Sequence, residues 1–410
     1  MKKKIGFLAL GVLIFALALT GTASAEPITI LRDFTGPPDL NYAEFNNNLI
    51  AVGGTLYGMA CGGGTSDQGA IFSINPDGTG YTFLHSISAG AGEGENPRST
   101  LLYSGGMLYG ASYVGGVFSM PLDGSSFNTQ AFDVTTGTLS TSGLAAGPGS
   151  QLYGMTQVGG ASGGGVLYSI SNTLGAMTPV YNFNSADGTL FNPQSNPIVD
   201  GSNIYGIATL GGANGVGGVF VASTDGTSFA SLHDFGGAGD GTYPYGALLL
   251  YDGRFYGTTA AGGDYGAGTI YSMDEDGSNY AVLGSFDGTN GNSPMGYLDV
   301  DVMGKLYGTT AYGGDYGAGT IFAIMSDGTG FHALHSFAGG ASDGAVPYGS
   351  LLLESGKLYG MTLGGGSVGR GVLFSMNAEA TPEPATIVSG LLGLFGLAGK
   401  RLFKRKKGKS

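Results

Sequence analysis

The apolar residues of this chain fall in short runs that alternate with polar ones and are broken by Gly, Asp and Ser, and no segment between its two ends repeats with a helical period. Alternation of that kind puts successive side chains on opposite faces of an extended strand, so the pattern predicts strands throughout. Between Ala247 and Phe286 it predicts four: "ALLLY" at 247–251, "RFYGTTA" at 254–260, "GTIYSMD" at 268–274 and "NYAVLGSF" at 279–286. Asp252-Gly253 separates the first two and Asp276-Gly277 the last two. Asp-Gly is a preferred pair for a tight type I′ hairpin turn, whose central residues both need positive φ. Gly105-Gly106, Asp123-Gly124, Asp225-Gly226 and Asp327-Gly328 are related turns.

The same sentence is written again one unit later. "YGTTAAGGDYGAGTIYSM" from Tyr256 is echoed by "YGTTAYGGDYGAGTIFAI" from Tyr307, and the marker "LYG" with its variants places tyrosines at 57, 109, 153, 205, 256, 307 and 359. The intervals are 52, 44, 52, 51, 51 and 52 residues, the short one partly because "GASYVGGVFSM" omits six residues between its tyrosine and Phe118. Units of about fifty residues lie in the range of propeller blades. The fourth strand appears in six units as "TFLHSI", "QAFD", "PVYNF", "ASLHDF", "AVLGSF" and "HALHSF", and the seventh unit ends after "GVLFSMNA" without one. A matching segment, Thr29-Ile30-Leu31-Arg32-Asp33-Phe34, stands near the start of the chain. The fold class expected is therefore all-β: a seven-bladed β-propeller of four-stranded blades, its ring closed by the N-terminal strand in the last blade, which hides the sheet edges.

The ends differ from this pattern. Residues 1–25 carry Lys2, Lys3 and Lys4, an apolar run from Ile5 to Leu19, and Ala23-Ser24-Ala25, the layout of a secretory signal peptide cleaved before Glu26. At the other end an apolar stretch, 385–399, is followed by Lys400, Arg401, Lys404, Arg405, Lys406, Lys407 and Lys409. Fifteen helical residues reach about 22 Å, so spanning needs Leu402, Phe403 and snorkelling basic chains, with the tail on the cytoplasmic side. Pro382-Glu383-Pro384, the apolar stretch and the basic cluster together resemble the PEP-CTERM sorting signal. The resemblance implies an exosortase-type processing enzyme as partner, cleavage near the motif, and release to the cell surface or extracellular matrix. The expected domains are a signal peptide (1–25), the propeller (26–380) and the sorting signal with a short transmembrane helix (381–410).

Composition changes the picture in two places. Glycine makes up 82 of 410 residues, but without a three-residue period, so collagen does not account for it. The two ends hold ten of the 16 bases and none of the 29 acids, leaving residues 26–384 with six bases and a net charge of −23. A nucleic-acid role would need a basic footprint and is excluded on that ground. The single cysteine, Cys61, aligns with Ala260 and Ala311 and reads as a small packed residue. The pattern "LYG…GG…GAGTIF…DGT…LHSF" resembles the GloVer-type tandem repeat of bacterial surface proteins, which implies a surface role and no established activity. Gly262-Gly263 and Gly313-Gly314 are similar to the Gly pair of kelch blades, but the absence of tryptophan does not support kelch itself.

Tight turns join strands one to two and three to four, so the longer connections share the opposite face, where binding usually sits. That face carries Asp264, Tyr265, Asp315 and Tyr316 in two copies of "GGDYGAG", together with Asp240, Tyr243, Asp343 and Tyr348. Aspartates among tyrosines can coordinate calcium or hold sugar hydroxyls while a ring stacks on the sugar, and the same residues also serve as ordinary turn formers. Asp264, Tyr265, Asp315 and Tyr316 are the candidate ligand face; no catalytic, cofactor or metal residue is assigned. His85, His233 and His335 recur at one outer-strand position and read as framework, with His332 nearby, and no G-x-S-x-G, H-E-x-x-H or P-loop occurs. The expectation is a noncatalytic surface or matrix protein binding polysaccharide or an envelope protein. A propeller lyase or hydrolase acting on polysaccharide, and a rigid spacer, are the competing readings.

Overall fold

The structure is a computed structural model describing residues 27–41, 48–89 and 92–378. Seven antiparallel sheets succeed one another along the chain as the blades of a propeller. Blade 5 shows the plan: Leu249–Tyr251, Arg254–Thr259, Thr269–Asp274 and Ala281–Ser285 lie side by side in sequence order, close to the runs expected from alternation. Blade 2 explains most of the short interval, because Met107–Val114 passes through Gly115 directly into Gly116–Pro121 with no long connection. Blade 7 is completed from the other end of the chain: Thr29–Asp33 pairs with Val372–Asn377, Thr29 opposite Ser375 and Asp33 opposite Val372. The Asp33 carboxylate also accepts the Ser367 N–H at 2.9 and 3.1 Å, fixing the closing strand to its blade.

The turns divide into two kinds. Between strands one and two, Asp252 and Gly253 have φ of 49° and 72°, both positive as a type I′ turn requires, and Gly105-Gly106 and Ser355-Gly356 behave alike. Between strands three and four the expectation is corrected, since at Asp276-Gly277 only the glycine is left-handed, with φ of 84°. The Asp276 carboxylate accepts the Ser278 N–H at 2.9 Å, and Gly277 N–H reaches Asp274 O at 2.9 Å. Asp therefore stays right-handed to make its own side-chain turn, and Gly takes the left-handed closing position.

The core lies between blades rather than within them. Seven apolar clusters each draw on two neighbours; one joins Tyr256, Ile270 and Phe286 of blade 5 to Leu306, Phe322 and Ile324 of blade 6. The phenylalanine ending "LHSF" is the wedge: Phe235 meets Tyr271 of the next blade at 5.1 Å, Phe286 meets Phe322 at 5.0 Å and Phe337 meets Phe374 at 5.4 Å. The "YG" marker has a packing reason as well. Gly308 stands opposite Phe322 in the strand pair, and a methyl group there would lie 2.5 Å from the ring. Gly58, Gly110, Gly154, Gly206, Gly257 and Gly360 face Phe72, Phe118, Tyr168, Phe220, Tyr271 and Phe374 in the same way. Each blade thus leaves out one side chain so that a ring can cross the sheet.

Candidate functional site

The long connections from one blade to the next share a device absent from the strand pattern. Asn96, Leu139, Asn192, Tyr243, Ser293 and Val346 hold equivalent places, and each is left-handed, with φ between 52° and 60°. Such a residue costs roughly 1–3 kcal/mol and persists only where its surroundings enforce it. At three blade boundaries backbone hydrogen bonds on both sides do so. Tyr243 donates its N–H to Val216 of blade 4 at 3.0 Å and accepts the N–H of Ala260 of blade 5 at 3.0 Å. Ser293 and Val346 repeat the pairing, to Ala267 and Ala311 and to Ala318 and Leu363. One backbone unit therefore stitches two blades together, and five of the six are followed by a proline, which disfavours the ordinary helical alternative.

Two residues beyond each stitch the chain reaches the ring axis. Arg98, Thr141, Gln194, Tyr245 and Met295, one from each of blades 2 to 6, line a funnel of about 290 Å³ with Tyr113 and Gln157. Blades 3 and 4 supply a polar wall: Gln157 Nε2 donates to Thr141 Oγ1 at 2.8 Å, Thr141 Oγ1 to Gln194 O at 3.1 Å, and Gln194 Nε2 to Thr209 Oγ1 at 3.2 Å. The Arg98 guanidinium lies 4.5 Å from the centre of the Tyr113 ring. Tyr245 and Met295 provide the less polar side.

A second layer, two residues deeper, forms a floor. Tyr297 of blade 6 crosses the axis and donates its hydroxyl to Asn196 Oδ1 of blade 4 at 3.0 Å. Its N–H donates to Ser350 Oγ, Ser350 N–H to Asn48 Oδ1 at 2.7 Å, and Asn48 Nδ2 to Thr100 Oγ1 at 3.1 Å. Burial pushes the Tyr297 hydroxyl well above its ordinary pKa, even though hydrogen bonds to Thr100 and Asn196 pull the other way. The funnel is thus a preorganised bay with a hydrogen-bonded floor, lined by amide, hydroxyl, guanidinium and ring surfaces suited to a hydroxyl-rich ligand. Sequence reasoning missed it because the mouth positions read Arg, Thr, Gln, Tyr and Met and the floor positions Asn, Thr, Asn, Tyr and Ser, with no single residue type running through the repeats to mark them.

The candidates read from sequence fall elsewhere. Asp264, Tyr265, Asp315 and Tyr316 occupy matching loop tips of blades 5 and 6; all four are exposed, Tyr265 by 69% and Tyr316 by 66%, and none lines the funnel. Their loops are held from below, Asp264 N–H by Ser285 Oγ and Asp315 N–H by Ser336 Oγ, each at 3.3 Å. Asp240 and Asp343 belong to the framework with the repeated histidines: His233 Nε2 lies 2.9 Å from Asp240, His335 Nε2 3.3 Å from Asp343, and His85 Nε2 2.9 Å from Glu93. In blade 7 the same place is taken by Arg32, 2.9 Å from Asp39. Burial by itself would raise the Asp240 carboxyl, but bonds from His233, Tyr280 and Gly241 N–H hold it below its ordinary value. Asp299 is pushed up by burial, and its oxygens accept the Leu353 and Val300 N–H groups at 2.7 Å each. Tyr348 shares a 2.6 Å hydroxyl contact with Tyr312, and Cys61 is buried. Among the described residues no three His, Cys, Asp or Glu side chains form a metal-binding group, and no helix is long and apolar enough to cross a membrane. Pro382, Glu383 and Pro384, the signal peptide and the apolar C-terminal stretch lie outside the described residues.

Comparison with known families matches the Gloeobacter/Verrucomicrobia repeat over residues 11–220, 112–302 and 300–389, nearly the whole chain. The chain belongs to this repeat family. Among solved structures, this repeat-family chain is similar to an oligogalacturonate lyase in complex with manganese, at TM-score 0.58 and 12% identity over 86% of this chain and 97% of that one. It is also similar to PorZ, a surface component of the type-IX secretion system of Porphyromonas gingivalis, at TM-score 0.53 and 14% identity over 87% of this chain and 49% of that one. At these identities the likeness is one of fold. No curated protein matches.

Proposed function

We propose that this repeat-family propeller is a noncatalytic, exported protein of the cell surface or extracellular matrix that holds polysaccharide, or an envelope partner, in the axial funnel of its long-loop face. The observation that carries the reading is the funnel itself: a floored bay at the ring axis, fixed by stitched connections and lined by seven side chains that include no carboxylate and no histidine. Amides and hydroxyls match sugar hydroxyls, and the Tyr245 ring suits a sugar face. The signal-like N-terminus and the PEP-CTERM-like tail support export and an exosortase-type processing partner. The exposed Asp264, Tyr265, Asp315 and Tyr316 extend the same face outward as a secondary contact for a longer chain.

The test is the thermal stability of the purified protein with and without the exopolysaccharide of its source, each with calcium and with chelator. A ligand at 100 times its Kd adds about 2.7 kcal/mol of stability. The expected result is a rise in midpoint that Gln157→Ala with Gln194→Ala removes and that changing Asp264, Tyr265, Asp315 and Tyr316 to Ala only weakens. A rise untouched by the funnel changes moves the site to the loop tips; no rise favours a protein partner or a spacer. Unsaturated products or new reducing ends in the same sample would identify a lyase or hydrolase instead.

A further inference from the structure

Six blades close their third and fourth strands with a hairpin turn, and in the seventh that turn is replaced by the two ends of the ring. Val372–Asn377 runs away from the long-loop face, while Thr29–Asp33 runs toward it, and the two are paired. Asp33 at the far end of its strand holds the Ser367 N–H of a long loop, so Thr29 and Asn377 both lie at the turn face. Residue 27 and residue 378 therefore leave the propeller side by side, on the face opposite the funnel.

The link from Ala378 to the apolar C-terminal stretch is short. Only residues 379–384 separate that residue from the apolar stretch that begins at Ala385. Six residues span at most about 20–22 Å when fully extended. The turn face itself carries exposed carboxylates on five blades, Asp77, Asp123, Asp225, Asp276 and Asp327. All five are anionic at neutral pH, and hydrogen bonds from a Ser or Thr two residues on, with Ser223 first for Asp225, hold their carboxyls below the ordinary range. Such a face does not adhere to an anionic bilayer, but at physiological salt its repulsion is screened beyond roughly 8 Å, within the reach of the tether.

We infer that, before processing at Pro382-Glu383-Pro384, the propeller stands on its turn face within about 20 Å of the membrane, with the funnel directed away from it. The inference rests on the membrane-held reading of the C-terminal segment and is independent of what the funnel binds. It also requires a processing enzyme to reach the motif through the narrow gap under blade 7.

The full chain, carrying Cys61→Ala, is reconstituted into phosphatidylcholine–phosphatidylglycerol vesicles that contain an acceptor-labelled lipid. One donor dye is attached at Val302→Cys, on the turn face of blade 6, or at Val368→Cys, on the long-loop face of blade 7; these valines are 93% and 55% exposed. A strand of six residues separates the faces by about 20 Å, so energy transfer to the membrane is expected to be several-fold more efficient from residue 302. Inserting about twenty Gly/Ser residues after Ala378 should lower transfer from residue 302. Equal or reversed efficiencies in vesicles that do hold the protein overturn the orientation and leave membrane anchoring intact. Failure of the chain to float with the vesicles overturns the anchoring reading and the orientation with it.

Discussion

Replacing Gly308 by alanine adds one methyl group to a buried strand, a change that local propensity alone would favour by about 0.5–1 kcal/mol. The packing decides otherwise. The new Cβ would lie 2.5 Å from Phe322 Cζ, 2.9 Å from its Cε1 and 3.0 Å from Leu298 Cδ2. The Phe322 ring has little room to retreat, since Phe286 packs edge-on at 5.0 Å and Phe331 at 6.0 Å, and Phe322 has no exposed surface. Overpacking of this kind costs about 1–3 kcal/mol, so mid-range values leave a net destabilisation of about 1 kcal/mol. With about 2.1 cal/mol/K of unfolding entropy per residue over roughly 350 residues, each kcal/mol moves the midpoint by about 1.4 °C. Denaturant titration of Gly308→Ala beside Gly237→Ala is the assay. The added Cβ of Gly237 meets only Asp240 Cβ, at 3.9 Å, and its φ is not left-handed, so that variant should be neutral or slightly stabilising. Adding Phe322→Leu to Gly308→Ala should relieve the clash and give a coupling of at least 0.5 kcal/mol. A Gly308→Ala protein as stable as the parent, or more so, would refute the claim that the repeated glycine exists to let the ring cross the sheet.

Tyr168 and Tyr271 stand where other blades have Phe, and their hydroxyls are buried with no hydrogen-bond partner among the described residues. Tyr271→Phe or Tyr168→Phe should therefore stabilise the fold by about 1–3 kcal/mol, read as a higher denaturant midpoint at unchanged m. Phe34→Ala removes a fully buried ring from the cluster joining blades 7 and 1 and should cost about 3–5 kcal/mol. It should also raise the susceptibility of the N-terminal strand to proteolysis, and protection as good as the parent's would show that the ring does not depend on that seam. Asp39, Asp240 and Asp343 all have folded pKa values below their ordinary range despite burial that would raise them, because their Arg or His partners and hydrogen bonds outweigh it. A depressed carboxyl contributes stability above its unfolded pKa of about 4 and loses it as pH falls toward the folded value. Stability should therefore fall below about pH 4, and Asp240→Asn should flatten part of that fall in acid denaturation curves.

The alternation of apolar residues, the spacing of Tyr57 through Tyr359 and the missing seventh "LHSF" strand were sufficient by themselves for the blade count, the strand order and the closure by Thr29–Asp33. The first two are local, since pairing within a blade involves residues close in sequence and each unit states its pattern again; the closure pairs Thr29–Asp33 with Val372–Asn377 at the other end of the chain and was legible only because six complete units showed what the seventh lacked. Turn type was legible where both central residues are left-handed, as at Asp252-Gly253, and not at Asp276-Gly277, where the side chain of Asp competes for the turn. The exposed Asp264, Tyr265, Asp315 and Tyr316 stood out in the sequence because they repeat. The funnel did not, because an axial site takes one side chain from each blade and is built from the differences between repeats. Arg98, Thr141, Gln194, Tyr245 and Met295 share a position but no chemistry, and Tyr297 meets Asn196 only because the ring brings residues 101 apart across a common axis. Sequence by itself determined the blade; only the closing of seven blades around one axis decided which unlike side chains would share a cavity.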